Sequence, residues 1–281
     1  RKYEAMIAKT DPEDERARDL LMYHGAGTGR WSGKGIQVQN FPRGTIKDME
    51  EACADILDAY HDVLDGRTDW ETALAWLYAM YGDVMELLPS GLRGAVVSSQ
   101  RRGVIVGDYS AIEARCGLRE AGAEAALDVF RTGGDIYCDM ATGIYGFQVD
   151  KRQHPNERQF GKQAILGLGY GMGFITFLLT CRKYSITFSV DQVRRILKDK
   201  FPKYNDWVHE YLFPKPKDGE DGTKWANRKR QAAQVRRKLE DAREDPRRIV
   251  HELALMKYTV DVYRSRYPEV KQMWSDQEAA E

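Results

Sequence analysis

The chain has 281 residues, 43 Lys and Arg balanced by 43 Asp and Glu, and 42% apolar residues. This length and apolar content can bury one large core or two smaller ones and exclude a disordered chain, while zero net charge excludes coating of nucleic acid or anionic membrane through bulk charge alone. The longest mostly apolar stretch, Ala73 to Tyr81, is far shorter than the roughly 20 residues that span a bilayer, and no basic start followed by an apolar segment marks a secretory signal.

A soluble, cytoplasmic protein with no membrane partner is therefore expected. Cys53, Cys116, Cys138 and Cys181 lie far apart without a Cys-x-x-Cys pair, which predicts reduced thiols rather than a zinc knuckle or a disulfide scaffold. The chain begins at Arg1 and stops at Glu281 just after a Trp-containing helical pattern, so it is expected to be a piece of something longer.

Residues 1–22 read as a charged helix, and residues 23–35 as a loop whose Gly25, Gly27, Gly29, Gly33 and Gly35 supply permissive backbone. Residues 46–90 predict two helices, the second opened by the capping box Thr68-x-x-Glu71. Val104, Ile105 and Val106 form a β-branched run that predicts a short buried strand closed by Gly107-Asp108. Ser110-x-x-Glu113 is a second capping box, opening a helix with Ile112, Cys116 and Leu118 on its apolar face.

Further on, residues 156–170 predict a helix carrying Arg158, Lys162, Leu166 and Tyr170 at steps of four, ending among Gly167, Gly169, Gly171 and Gly173. Ser189-x-x-Gln192 caps a helix that contains Val193, Ile196 and Leu197. After Pro214 and Pro216 a polar loop leads into residues 224–249, which hold ten Lys and Arg against four Asp and Glu. Ala232, Val235, Leu239 and Ala242 give this segment a thin apolar stripe, so it is either a solvated helix packed on its neighbours or a clamp for DNA. No internal repeat is present.

Several side chains can carry chemistry. A carboxylate at the end of an apolar strand, as Asp108 is expected to be, suits Mg²⁺, which takes one or two protein carboxylates and completes its shell with water and phosphate oxygens; the same residue equally opens a turn. Glu113 has its capping role. Arg158 and Lys162 stand about 6 Å apart along a helix, a spacing that fits neighbouring phosphates or simply a solvated face, and Tyr170 can stack on a base. The loop from Gly25 to Arg30 resembles a phosphate-cradling turn but lacks the preceding strand and the glycine spacing of a P-loop. Arg30, Gln37, Gln39 and Asn40 offer hydrogen bonds to phosphate, sugar or minor-groove acceptors. The five histidines show no metal-ligand or catalytic-triad spacing.

In order, these segments resemble the family A DNA polymerases, the polymerase I type, especially their phage members. Thr28-Gly29-Arg30-Trp31-Ser32 with Gln37-Val38-Gln39-Asn40-Phe41-Pro42 is similar to the family's T-G-R-x-S and L-Q-N-x-P segment. Asp108-Tyr109-Ser110-Ala111-Ile112-Glu113-Ala114-Arg115 is similar to motif A, and Gly134-Asp135-Ile136-Tyr137 with Ile144-Tyr145-Gly146 to the stretch that follows it. Arg158-x-x-x-Lys162-x-x-x-Leu166-x-x-x-Tyr170-Gly171 resembles motif B, and Tyr263-Arg264-x-x-Tyr267-Pro268 is a last echo. The matches cover roughly residues 20–43, 92–174 and 255–280; residues 44–90 and 185–250 look like insertions.

The resemblance implies an α+β fold, a partial antiparallel palm sheet with a large, mostly helical fingers domain. Residues 1–22 would end a thumb-like helical region, 23–115 would form the palm portion with a helical insertion near 44–90, and 116–281 the fingers with an insertion near 185–250. It implies that Asp108 and the backbone carbonyl of Tyr109 hold catalytic Mg²⁺, two ions in the complete site. Glu113 would exclude a ribose 2′-OH, which disfavours a single-subunit RNA polymerase. Arg158 and Lys162 would grip the triphosphate, Leu166 stands where the family has Phe or Tyr, and Tyr170 would stack near the templating position. Arg30, Gln39 and Asn40 would contact primer-template DNA. The implied reaction is attack of a primer 3′-OH on the α-phosphate of a deoxynucleoside triphosphate, in the bacterial cytoplasm if the gene is a phage's.

The family's His-Asp-Glu hairpin, motif C, has no counterpart among these residues; His61-Asp62 is followed by Val63 and precedes motif A. The chain is therefore expected to be incomplete as a polymerase, with a second carboxylate supplied by missing sequence or a second polypeptide. The alternative is a catalytically inactive, polymerase-derived nucleic-acid-binding module.

Overall fold

A computed structural model describes residues 2–27, 29–42, 44–98, 102–103, 105 and 107–280. The chain divides into two compact units, residues 1–107 and 108–281.

In the first unit, helix α1 spans Lys2–Lys9 only, so the helix expected over residues 1–22 is cut short. Asp11 and Asp14 accept the backbone N–H groups of Glu13 (2.9 Å) and Arg16 (3.2 Å), which offers this stretch local hydrogen bonds in place of a helical ladder. Pro12 adds its bias against helix at the residue before it. Strands β1 (Leu21–Met22) and β2 (Ser32–Gly33) then pair antiparallel, with Leu21 opposite Gly33, and a 3₁₀ turn covers Val38–Asn40.

Three helices follow instead of two: α2 (Met49–Leu64), α3 (Trp70–Tyr81) and α4 (Val84–Gly91). Aspartates open all three, Asp48, Asp69 and Asp83 accepting from the backbone N–H of Glu51, Thr72 and Met85. The expected Thr68 capping box gives way to Asp69, whose carboxylate reaches Thr72 N at 2.8 Å. Gly82, at φ 77°, ends α3 in a backbone conformation that side chains resist, and Asp83 restarts the helix as α4. Two small cores result, one of Ala52, Leu77 and Leu87, the other of Ile36, Phe41 and Leu92.

Among the described residues of the second unit, all elements are helices. In order these helices are α5 (Ile112–Glu120), α6 (Glu124–Arg131), α7 (Ile136–Tyr145), α8 (Pro155–Leu168), α9 (Phe174–Lys183), α10 (Val190–Leu197), α11 (Phe201–Leu212), α12 (Gly222–Asp241), α13 (Val250–Arg266) and α14 (Pro268–Ala280). The Ser189 capping box forms as expected, with Ser189 Oγ accepting from Gln192 N and Gln192 Oε1 accepting from Ser189 N.

Helix α13 is buried around most of its circumference, as a central helix is. It packs on α7, α8, α9, α10 and α11, and Leu253, Ala254, Leu255 and Met256 are fully buried. Residues 185–250, which the family pattern leaves unexplained, are integral to this core through Val193, Leu197, Val208, Leu212 and Leu239.

The overall composition of elements, mostly helix with one small antiparallel ribbon, is consistent with an α+β class. The buried strand expected at Val104–Val106 is not formed where it can be followed. Val104 and Val106 lie outside the described residues, and Ile105 is 98% exposed and in no strand. Among the described residues no helix is long and apolar enough to cross a membrane.

Burial of tyrosines in the second unit sets its response to alkali. Burial pushes Tyr267 up to about 12, and raises Tyr145 and Tyr263 as well, above the value near 10 of an unfolded tyrosine. Below pH 10 both states are protonated and nothing is lost; between pH 10 and 12 the unfolded chain releases phenol protons that the folded chain keeps. Stability should fall there by about 1.4 kcal/mol per pH unit for each such tyrosine. Thermal unfolding at pH 8 to 11.5 is expected to show this decline, and Tyr267→Phe to flatten it.

Candidate functional site

The residues singled out by sequence fall in both units. Arg30, Gln39 and Asn40 belong to the first, where all three are exposed. Arg30 closes the loop between β1 and β2, its carbonyl accepting from Ala26 N (3.1 Å), with Tyr23 and Trp31 in edge contact at 5.2 Å. Thr28, the start of the T-G-R segment, lies outside the described residues. Gln39 and Asn40 occupy the 3₁₀ turn, where Asn40 Nδ2 donates to Gln37 Oε1 at 2.6 Å. A side chain at Gly33 would come within 2.5 Å of Gln37 and 2.7 Å of Gln39, so the glycine is what lets these amides fold back over β2.

Asp108 and Tyr109 open the second unit, both exposed. The capping box expected at Ser110 and Glu113 is absent: the residue before α5 is Ala111, left-handed at φ 51°, with no side-chain cap. A non-glycine residue held there carries backbone strain, which the surroundings must maintain. Arg115 does so by donating from Nε to Ser110 O (2.9 Å) while its guanidinium lies 4.1 Å over the Phe130 ring.

Helix α8 begins at Pro155, which needs no N–H partner in the first turn. It buries Phe160, Gly161, Ala164, Ile165 and Leu168 and leaves Arg158, Lys162 and Leu166 half-buried along another face. The helix ends at Leu168, so Tyr170 stands in the turn beyond it, 72% exposed, its N–H bonded to Gly167 O. Gly161 is required for packing: a Cβ there would lie 2.2 Å from Tyr137 O, so its absence seats α8 against the backbone of α7.

That close contact brings Arg158 to the start of α7. Asp135 caps α7, Oδ1 accepting from Tyr137 N (3.0 Å) and Cys138 N (3.2 Å), while its Oδ2 accepts from Arg158 Nε at 2.8 Å. The guanidinium also lies 5.2 Å over the Tyr137 ring. Burial raises the Tyr137 phenol, with the Arg158 guanidinium opposing the shift. Glu113, Leu166 and Tyr170 line one small cleft of about 50 Å³ together with Tyr263 and Val270. Lys162 makes no ion pair among the described residues. The structure thus gathers Glu113, Arg158, Leu166 and Tyr170 around α8.

Among the described residues, no group of three His, Cys, Asp or Glu converges as a metal site. The basic segment, expected over residues 224–249, is helical only as far as Asp241, in α12, where several cations are committed to structure. Arg228 pairs with Glu220 (2.7 Å), and Arg236 bonds Leu212 O and lies over Phe213, while Ala232 and Leu239 are buried. Ala242, expected on the apolar stripe, is exposed.

The chain is 35% identical over 175 residues, 62% of its length, to the DNA polymerase of Bacillus phage SP02. It spans about a quarter of that relative, 25% of its length. No family model and no solved structure matches the chain. Sequence reasoning passed over Asp135 as a partner of Arg158; its signal was that of a helix cap, an aspartate just before the apolar start of α7.

Proposed function

We propose that this chain carries the palm start and fingers of a family A DNA polymerase and acts in template-directed DNA synthesis. The observation that carries this reading is the convergence of Glu113, Leu166 and Tyr170 on one cleft beside a helix that presents Arg158 and Lys162. Similarity to a phage DNA polymerase supports it independently.

Asp108 and the Tyr109 carbonyl fit Mg²⁺, because they offer the one carboxylate and additional oxygen that such ions take from protein in phosphoryl-transfer sites. When bound, two such ions supply charge stabilisation at the attacking and leaving oxygens. A second carboxylate must join Asp108, and these 281 residues hold no His-Asp-Glu hairpin to provide it. Arg158 and Lys162 bind the triphosphate of the deoxynucleotide, Arg158 being held in place through its Nε bond to Asp135. Tyr170 offers its ring to the base pair being formed, and Arg30, Gln39 and Asn40 contact primer-template DNA.

Primer extension with Mg²⁺ and the four deoxynucleotides tests the reading, using the full reading frame that contains this chain; absence of any synthesis would overturn it. In that assay Glu113→Ala is expected to raise the ratio of kcat/KM for ribonucleotides over deoxynucleotides by about a hundredfold, the scale on which a pocket rejects one extra hydroxyl. An unchanged ratio would remove Glu113 from sugar selection.

A further inference from the structure

A cavity of about 610 Å³ opens in the second unit between the end of α7, the start of α8 and the segment from the end of α9 into α10. Its size is that of pockets taking a ligand of a few hundred daltons. Tyr184, 55% exposed, and Phe147, 44% exposed, present aromatic rings to it. Arg195 and Lys198 line it, exposed and in no ion pair among the described residues, against one lining carboxylate, Glu157. Asn156 and Gln159 add side-chain amides that make no hydrogen bond among the described residues.

The wall is rigid. Phe147 meets Tyr145 edge-on at 5.8 Å, Tyr145 meets Phe160 at 6.3 Å, and Phe160 meets Phe188 at 5.0 Å, a chain of rings running into the core. The lining loop is tied from below: Phe188 N donates to Glu252 Oε1 (2.8 Å), and Phe188 O lies 3.1 Å from His251 Nε2. Ser185 and Lys198, both lining residues, hold positive φ angles of 55° and 53°, conformations that non-glycine residues adopt at a cost.

Exposed rings for stacking, free amides for base edges and unpaired cations for phosphate are the three elements of a single-strand nucleic-acid site. We propose that this cavity docks one or two nucleotides of single-stranded DNA. The inference goes beyond the polymerase reading, because neither Asp108 nor the Arg158–Lys162 face of α8 takes part.

Binding of fluorescein-labelled octathymidylate to the full chain, followed by anisotropy over a range of salt, tests it. Tyr184→Ala is expected to weaken binding about tenfold, within the range for losing one stacked base, while Tyr184→Phe keeps the ring and the affinity. Arg195→Ala with Lys198→Ala should reduce the slope of log affinity against log salt by about 1.4, or 0.7 per lost phosphate contact. An oligonucleotide carrying 5-iododeoxyuridine should crosslink to Phe147 or Tyr184. Unchanged affinity and slope in the cavity variants, or crosslinks confined to other residues, would overturn the proposal. So would competition by thymidine monophosphate as effective as by the octamer, which would make the cavity a pocket for free nucleotides.

Discussion

Replacing Arg182 with Met is expected to cost about 3–5 kcal/mol of stability, the penalty for leaving a buried charge without its partner. Arg182 sits in the last turn of α9 and donates from Nε to Glu244 (2.6 Å) and from Nη1 and Nη2 to Glu252 (2.9 and 2.5 Å). Glu252 is 4% exposed and has a further donor in Phe188 N. Methionine fills the aliphatic volume but strands Glu252 in a low-dielectric interior, where an ionised carboxylate costs far more than in water. For a unit of this size the loss amounts to roughly 6–20 °C in Tm, readable by urea and thermal unfolding. Adding Glu252→Gln to Arg182→Met should recover part of the loss, since it removes the orphaned charge. A single-variant cost below 1 kcal/mol would show that the triad is not what joins α9 to α13.

Asp108→Asn is expected to lower nucleotide incorporation by about a thousandfold or more while leaving the fold intact. The amide has nearly the shape of the carboxylate but no charge to hold a divalent ion, and metal ions contribute several kcal/mol to phosphoryl transfer, with about 1.4 kcal/mol per decade of rate. Because Asp108 is exposed, the substitution disturbs no packing. Single-turnover primer extension separates the two effects: the rate should collapse while primer-template affinity changes by less than about threefold. Synthesis within tenfold of the unaltered protein would exclude Asp108 as a metal ligand.

Local rules made much of the helical framework legible. The Ser189 box and the α8 periodicity needed only neighbours within one or two turns, and both helices formed, α8 stopping at Leu168, short of the expected Tyr170. Capping failed where two candidates competed, Asp69 displacing Thr68 by one residue, and where backbone strain at Ala111 displaced the Ser110 box. Ile105 lies outside any strand because a β-branched residue pairs only where a partner strand is near, which no local pattern reports. The link between Asp135 and Arg158 was invisible for the same kind of reason. It spans 23 residues and depends on a glycine whose lack of a side chain sets how closely two helices meet.

That glycine also has a mechanical consequence. With Gly161 pressed on the Tyr137 carbonyl and Asp135 pinned to Arg158, α7 and α8 cannot slide past each other without breaking both contacts. The two contacts couple the start of α7 to α8 across residues 135–168. In amide exchange the two helices should open together, as one cooperative block.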